Sequence, residues 1–465
     1  MVTTLKRTIG FVGLTALIAA GLGAVAGAAS PVPPPSPSVS PVEAQQFSGD
    51  WTEVQDPQAT NGTAVVINSG AISTPTTTPE GSYTLNIRLK SAADRVELTL
   101  NGQQVDTVVL YNSPWQTVSV PVRVSGTPTW GVQPLPGIGY TPQPVYVDWL
   151  SLDSATPGIT TVGNKIIDAN GNQFVPRGVV RDGFQFKPTG NYYLTDSDFQ
   201  AMYTWGATAV RLPLDQTQWL SSSCYYDPTY AQRLDDAVQS ITKRGMLAVL
   251  TLTRAAEGQL CSQPGLARMA DDYSIQFWTE VANRYKSNPL VAFDLFNEPH
   301  DITEPVWHDG GMVGSPAFHA VGMQQLYNTV RGTGATNLLF ISGTSWAFHI
   351  DVALRRPVDG YGIVYGTHLY NPPETGPVRS DADSVITPVT KTYPVEVTEF
   401  GSSSGTGLYN QNVIAFAEQR GIGWLAYKWY DTSAQFGLLQ SFDTYQPSDA
   451  GLPVYNALQQ AKGGT

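Results

Sequence analysis

Charge is scarce in this chain. Only 14% of its 465 residues are Asp, Glu, Lys or Arg, and 26 basic against 38 acidic residues leave a net charge of −12. Such a balance repels a phosphate backbone, so nucleic acid is excluded as a partner. Cysteine is scarcer still, with Cys224 and Cys261 alone. Two thiols without further Cys or His at ligand spacing do not build a zinc cage, and no Cys follows the N-terminal apolar run, which excludes a bacterial lipoprotein anchor. Histidine occurs five times, and His368 is the last. Gly401-Ser-Ser-Ser-Gly405 therefore fits G-x-S-x-G without the downstream His that a nucleophile elbow requires, and it reads as a flexible Gly/Ser loop.

Apolar content is not lacking. Hydrophobic residues make up 42% of the chain, enough for a large core and more than one domain. Lys6 and Arg7 precede an apolar stretch from about Ile9 to Ala26 that ends in small residues, and residues 1–29 read as a secretory signal peptide. An uncleaved anchor is the rival, because the run approaches the length that spans a bilayer; its Ala/Gly-rich end favours removal. The expected product is a secreted monomer with no stable membrane association. In an oxidising compartment the two cysteines invite a disulfide, which closes loops beyond adjacent strands and contributes about 4 kcal/mol in the chain-entropy model.

Residues 30–42 (PVPPPSPSVSP at the centre) form a Pro/Ser-rich spacer. Residues 43–155 alternate in short runs, such as Tyr83 to Leu89 and Val96 to Leu100 with an Asn101-Gly102 turn behind the latter. This pattern predicts an all-β sandwich. Strand-like and helix-like stretches then alternate over 158–465, the mark of an α/β domain. Eight strand-like pieces (174–180, 207–214, 246–252, 291–296, 337–341, 362–366, 393–398 and 422–427) fit one closed (β/α)8 TIM barrel. Helical stripes at Leu234, Val238 and Ile241, and at Ile275, Trp278, Ala282 and Tyr285, are expected to pack on it. Asp168-Ala-Asn-Gly-Asn172 lacks the Gly and terminal Glu of a calcium loop and reads as a hairpin turn. No metal or cofactor is implied.

The chemistry concentrates in Asp294-Leu-Phe-Asn-Glu-Pro-His300 and Val395-Glu-Val-Thr-Glu-Phe-Gly401, where apolar runs lead into Glu298 and Glu399. The two lie 101 positions apart (399−298), so only a fold that gathers strand ends brings them together. A pair of carboxyls is what glycosidic cleavage needs, one to protonate the leaving oxygen and one to attack the anomeric carbon. Glu396, three residues before Glu399, is placed by strict pleat alternation on the opposite, helix-facing side.

Several ordered motifs over roughly 160–463 carry a family resemblance: Arg177-Gly178, Val210-Arg-Leu-Pro213, Asn297-Glu-Pro299, His368-x-Tyr370, Glu399, and Trp424-Leu-Ala-Tyr-Lys-Trp429. This region resembles glycoside hydrolase family 5 of clan A. The resemblance implies that Glu298 is the general acid/base and Glu399 the nucleophile. Arg211 and Tyr370 would support Glu399, Asn297 would bind the sugar 2-hydroxyl, and Trp429 would stand under the scissile sugar. His368 completes the matched set. Thr253 departs from the pattern, since many members carry His there. Gly81-Ser-Tyr-Thr-Leu, Leu100-Asn-Gly-Gln, Trp115-Gln-Thr-Val and Val147-Asp-Trp-Leu-Ser-Leu152 likewise resemble carbohydrate-binding modules of families 6 and 35. That resemblance implies exposed aromatic rings stacked on sugars, with Trp130 and Tyr140 as candidates and Trp115 and Trp149 expected in the core.

The expected activity is retaining endo-hydrolysis of a β-linked polysaccharide, with β-1,4-glucan leading. Mannan, β-1,3 or mixed-linkage glucan and glycoconjugates stand as alternatives within the mechanism. A catalytically inactive glycan-binding protein is the alternative outside it.

Overall fold

The structure, a computed structural model, describes residues 39–463 apart from 77, 92–94, 111–112, 125–126, 136–142, 156–157, 188–191, 193 and 263–264. The signal segment, most of the spacer and Tyr140 lie outside the described residues. The spacer is shorter than expected, because Val39–Glu43 is already a strand paired with Val145–Ser154.

Residues 39–154 form two antiparallel sheets. One contains Thr52–Gln55, Thr63–Ile67, Val145–Ser154, Gly81–Ser91 and Ser113–Val124 in that order, with Val39–Glu43 beside Val145–Ser154. The other runs Ser48–Gly49, Ile72–Pro75, Thr129–Leu135, Arg95–Leu100 and Gln103–Val109. Alternation decides which tryptophan is inside. Trp130 shares its inward phase with Val132, is 1% exposed, and donates its indole N–H to Thr76 Oγ1 at 2.9 Å. It belongs to the core and is closed to a glycan, which corrects the sequence expectation. Trp115 and Trp149 correct it from the other side, since both are only half-buried on the outer face of the first sheet.

The barrel strands are Arg177–Val180 (β1), Ala209–Asp215 (β2), Leu247–Arg254 (β3), Val291–Asp294 (β4), Leu339–Ser342 (β5), Ile363–Leu369 (β6), Val395–Phe400 (β7) and Gly423–Tyr427 (β8). All pair in parallel, and β8 closes on β1. Each coincides with one of the eight predicted pieces. The expected helical stripes are also inside: Leu234, Val238 and Ile241, and Trp278, Ala282 and Tyr285, are buried against the strands. Asp271 caps the second of these helices through a reciprocal box with Ser274. Asp168 caps its own turn by accepting from the backbone N–H of Asn170 and Asn172.

Apolar side chains fill the barrel interior, among them Val180, Ala209, Leu247, Val249, Ala292, Phe340, Val364 and Leu425. The next inward positions toward the strand C-termini are polar: Arg211, Thr251, Asp294, Ser342 and His368 are buried there. Period-two alternation thus puts a polar layer on an apolar plug, at the end where barrel enzymes carry their chemistry. Cys224 and Cys261 form a disulfide with Cα atoms 4.9 Å apart, joining the loops that follow β2 and β3.

The sandwich meets the other end. Arg95 pairs with Asp359, and Tyr361 packs on the sandwich core. Arg331 stacks over the Tyr361 ring at 4.2 Å and donates to its carbonyl at 2.8 Å. Asp359 and Tyr361 lie just before β6, so this contact is on the N-terminal side of the strands. Among the described residues no helix is long and apolar enough to cross a membrane.

Candidate active site

Arg211, in the middle of β2, organises the polar layer. It is fully buried, and its Nε and Nη2 both reach Asp294 Oδ2, at 2.9 and 2.8 Å. Nη1 donates to Glu399 Oε2 at 2.9 Å, and Nη2 to Asn297 Oδ1 at 2.8 Å. A guanidinium presents its donors in a fixed plane, so one side chain sets the positions of groups from β4 and β7 together. Using Asn297 Oδ1 in this way leaves the amide NH2 as donor, directed to Glu298.

Glu298 stands four residues beyond the end of β4. One of its oxygens, one of Glu399 and a ring nitrogen of His368 lie within 4.8 Å of one another. Burial pushes the Glu298 carboxyl up to about 7, against the pull of Arg211 and His300. Desolvation is the leading cause of that rise. Glu399 is also raised by burial and by the charge of Glu298, while Arg211 and the Tyr370 hydroxyl, which donates at 2.8 Å, draw it back down. The two carboxyls titrate as a pair. Glu399 holds two direct donors, one of them cationic, so the first proton leaves from there. His368 is kept neutral by burial, its pKa lowered to about 4, and its Nδ1 lies 2.8 Å from Glu298 Oε1. The closeness of the three groups would suit a cation, but Arg211 already places a full positive charge on Glu399.

Glu298, Glu399, Arg211, Asn297, His368 and Tyr370 are therefore brought together as expected. A cavity of about 420 Å³ opens over Asn297, Glu298, Tyr370 and Glu399, walled further by Asp182, Gln185, Thr253, Arg254, Glu374, Tyr427 and Phe436. Trp429 is not in this wall. It is fully buried, edge-on to Trp205 at 4.7 Å and stacked on Tyr445, behind β8. Trp424 is likewise core, with its N–H on Glu418. The aromatic side chain at the end of β8 that faces the cavity is Tyr427, whose hydroxyl donates to Asp182 Oδ2 at 3.2 Å. Alternation from Leu425 in the barrel interior identifies Tyr427, and a count of tryptophans does not.

Glu396 also departs from expectation. It is fully buried over Gly423, where a Cβ would come within 2.2 Å of its Oε2. Gly423 alternates with Leu425 and Tyr427 and so faces the barrel interior. The pairing of β7 shifts between Val397 and Phe400, and that bulge lets Glu396 and Glu399 point inward together.

Sequence reasoning missed Trp346. It is 46% exposed in the loop after β5 and stacks on His300 at 3.6 Å and 8°. Its backbone N–H donates to Pro299 O, next to Glu298. Ser345, Trp346 and Ala347 all have left-handed φ, between 53° and 62°. Three consecutive non-glycine residues in that region carry backbone strain of the kind that gathers at ligand sites. A lone aromatic residue in a Gly/Thr/Ser loop offered no periodic signal.

Comparison with known proteins agrees with this geometry. The sequence signature of Cellulase (glycosyl hydrolase family 5) matches residues 167–433, more than half of the chain. The chain belongs to glycosyl hydrolase family 5. It is 23% identical over 309 residues to Endoglucanase A of Butyrivibrio fibrisolvens, covering 63% of this chain and 62% of that one. It is 22% identical over 253 residues to Cellulase/esterase CelE of Acetivibrio thermocellus, covering 48% of this chain and 31% of that one. The chain thus spans less than two thirds of these curated relatives. Among solved structures, a β-glucanase of Saccharophagus degradans in complex with cellotetraose superposes with a TM-score of 0.52 at 21% identity, covering 66% of this chain and 94% of that one. The catalytic domain of the Thermobifida fusca endoglucanase Cel5A gives 0.52 at 19% identity, with 65% and 97% covered. These two likenesses concern the barrel fold of this family 5 chain.

Proposed function

We propose that this protein is a secreted retaining endo-β-glycosidase that cleaves β-1,4-glucan by double displacement. The observation that carries the reading is the carboxyl pair. Oxygens of Glu298 and Glu399 lie within 4.8 Å, one carboxyl raised to about 7 and the other gripped by Arg211 and Tyr370. So close an approach of their oxygens favours the ~5–5.5 Å carboxyl separation of retaining enzymes over the ~6.5–9.5 Å that inverting ones need for a water. Glu399 attacks the anomeric carbon as the glycosidic bond breaks and Glu298 protonates the departing oxygen. Water, deprotonated by Glu298, then cleaves the glycosyl ester. The Asn297 amide is the donor available to the 2-hydroxyl.

Three features support the substrate and the setting. Tyr427 offers a ring beside the reacting sugar. Trp346, next to Glu298, offers one on the leaving side, and sugars stack on such faces. The disulfide suits an oxidising compartment. On the sandwich, Trp115, Tyr146 and Trp149 surround Arg88 and Lys90 on one open sheet face, and in this reading they replace Trp130 as the glycan contacts.

Reducing-end release from β-1,4-glucan, mixed-linkage glucan, β-mannan and xylan, run beside Glu399→Gln, tests the reading. Cleavage of β-1,4-glucan with retained anomeric configuration, lost in the variant, is the expected result. Preference for another polymer changes the substrate alone. Binding without cleavage of any substrate overturns the enzyme reading in favour of a glycan-binding protein.

A further inference from the structure

Arg211 forms as many bonds to the apolar side of the polar layer as to the cleft. Its lower partner, Asp294, is fully buried on β4 and does not line the cavity. Asp294 Oδ2 takes Nε and Nη2 of Arg211 and the Thr251 hydroxyl at 3.1 Å, while Oδ1 is buried with no hydrogen-bond partner. Three donors on one oxygen, two of them from the Arg211 cation, hold Asp294 as a carboxylate although burial pushes it up. One guanidinium therefore sits between two anions, Asp294 below and Glu399 above.

We propose that Asp294 is a positioning residue that fixes Arg211 and shares its charge with Glu399, so that the nucleophile is less acidic than an unshared arginine would make it. The inference rests on the double-displacement reading for its catalytic meaning. When Glu399 attacks, its negative charge passes through the breaking bond to the leaving oxygen, which takes the proton of Glu298. The anion is then on Glu298, which does not hydrogen-bond Arg211, while Glu399 is a neutral ester. Asp294 stays against the guanidinium through both steps, so a buried cation is never left without a contacting carboxylate. The groups facing Glu399 are Arg211 from β2, Glu298 beyond β4, His368 and Tyr370 from the β6 end and Tyr427 from β8.

The test reads the Glu399 carboxyl itself. In protein labelled with 13C-glutamate, its resonance is assigned by loss in Glu399→Gln and titrated in wild type, Asp294→Asn and Thr251→Val. Asn keeps an oxygen for Arg211 but removes the shared charge, so the Glu399 midpoint is expected to fall by about one pH unit. The acidic limb of kcat/KM should move down with it, and turnover per titrated active site should drop about tenfold, less than for loss of a donor that touches the reacting atoms. Thr251→Val weakens the hold on the Asp294 anion and should shift the midpoint the same way by less. An unchanged or raised midpoint in folded Asp294→Asn overturns the proposal. Should that variant not fold, an unchanged midpoint in Thr251→Val does so. A downward shift in a protein that cleaves no glycan would sustain the charge sharing and refute the functional reading separately.

Discussion

Glu399 and Glu396 lie three residues apart on one strand, both buried and both turned into the barrel, yet their surroundings are opposite. Glu399 meets Arg211 and Tyr370 and opens on a cavity. Neither oxygen of Glu396 has a partner, and burial raises its pKa well above the usual carboxylate range with only the Arg177 charge opposing it. Burial by itself makes a carboxyl neutral. A nucleophile needs burial together with donors that hold the charged form, and the polar layer at the strand C-termini supplies them while the N-terminal end does not.

The sharpest way to break the comparison is at Glu399. Glu399→Gln is expected to reduce hydrolysis by roughly four orders of magnitude or more, measured as reducing-end release. Retained turnover would falsify the nucleophile assignment. Glu298→Gln is expected to slow cleavage of natural glycosides about 10²–10⁴-fold and of substrates with activated leaving groups far less. In the wild type, kcat/KM should fall as pH rises through about 7, where Glu298 loses its proton; an alkaline limb that survives in Glu298→Gln would assign it to another group.

Trp429 sharpens the contrast between site and support. Trp429→Ala is expected to cost about 3–5 kcal/mol of stability, seen in chemical unfolding, with KM of the folded fraction nearly unchanged. A selective rise in KM would return Trp429 to the sugar. The smallest effect belongs to Glu396. A carboxyl with a raised folded pKa contributes fully below its unfolded value of 4.5, and that contribution is lost as pH rises toward the folded pKa. Glu396→Gln should therefore leave Tm unchanged near pH 4 and raise it by about 2 °C near pH 8, with activity intact. Equal Tm values at both pH values would mean that Glu396 is charged in the fold.

Much of this was legible before any coordinates. The eight barrel strands were readable because each is a short apolar run between turn signals, and Glu298 and Glu399 because each ends such a run; Arg211, Asn297, His368 and Tyr370 were legible only through the ordered motifs that resemble glycoside hydrolase family 5. The misreadings have separate causes. Trp115, Trp130 and Trp149 were sorted by loop or strand context and Trp429 by its place in the family motif, although a tryptophan side chain packs equally well on either side of a strand. Glu396 was placed by strict alternation, which a bulge between Val397 and Phe400 breaks. Trp346 depends on a strained loop that no local pattern announces.

By itself, the sequence determined the order of secondary elements, the barrel and the sandwich, and the residue types available at each strand end. These follow from local hydrophobic periodicity and from a charge content too low to hide its few strand-end carboxyls. Only the tertiary structure decided which of two buried glutamates is paired, which aromatic side chain reaches the cavity, and that Asp294 lies under Arg211. Those outcomes depend on register, bulges and desolvation between segments far apart in the chain, and such relations come into being only when the barrel closes.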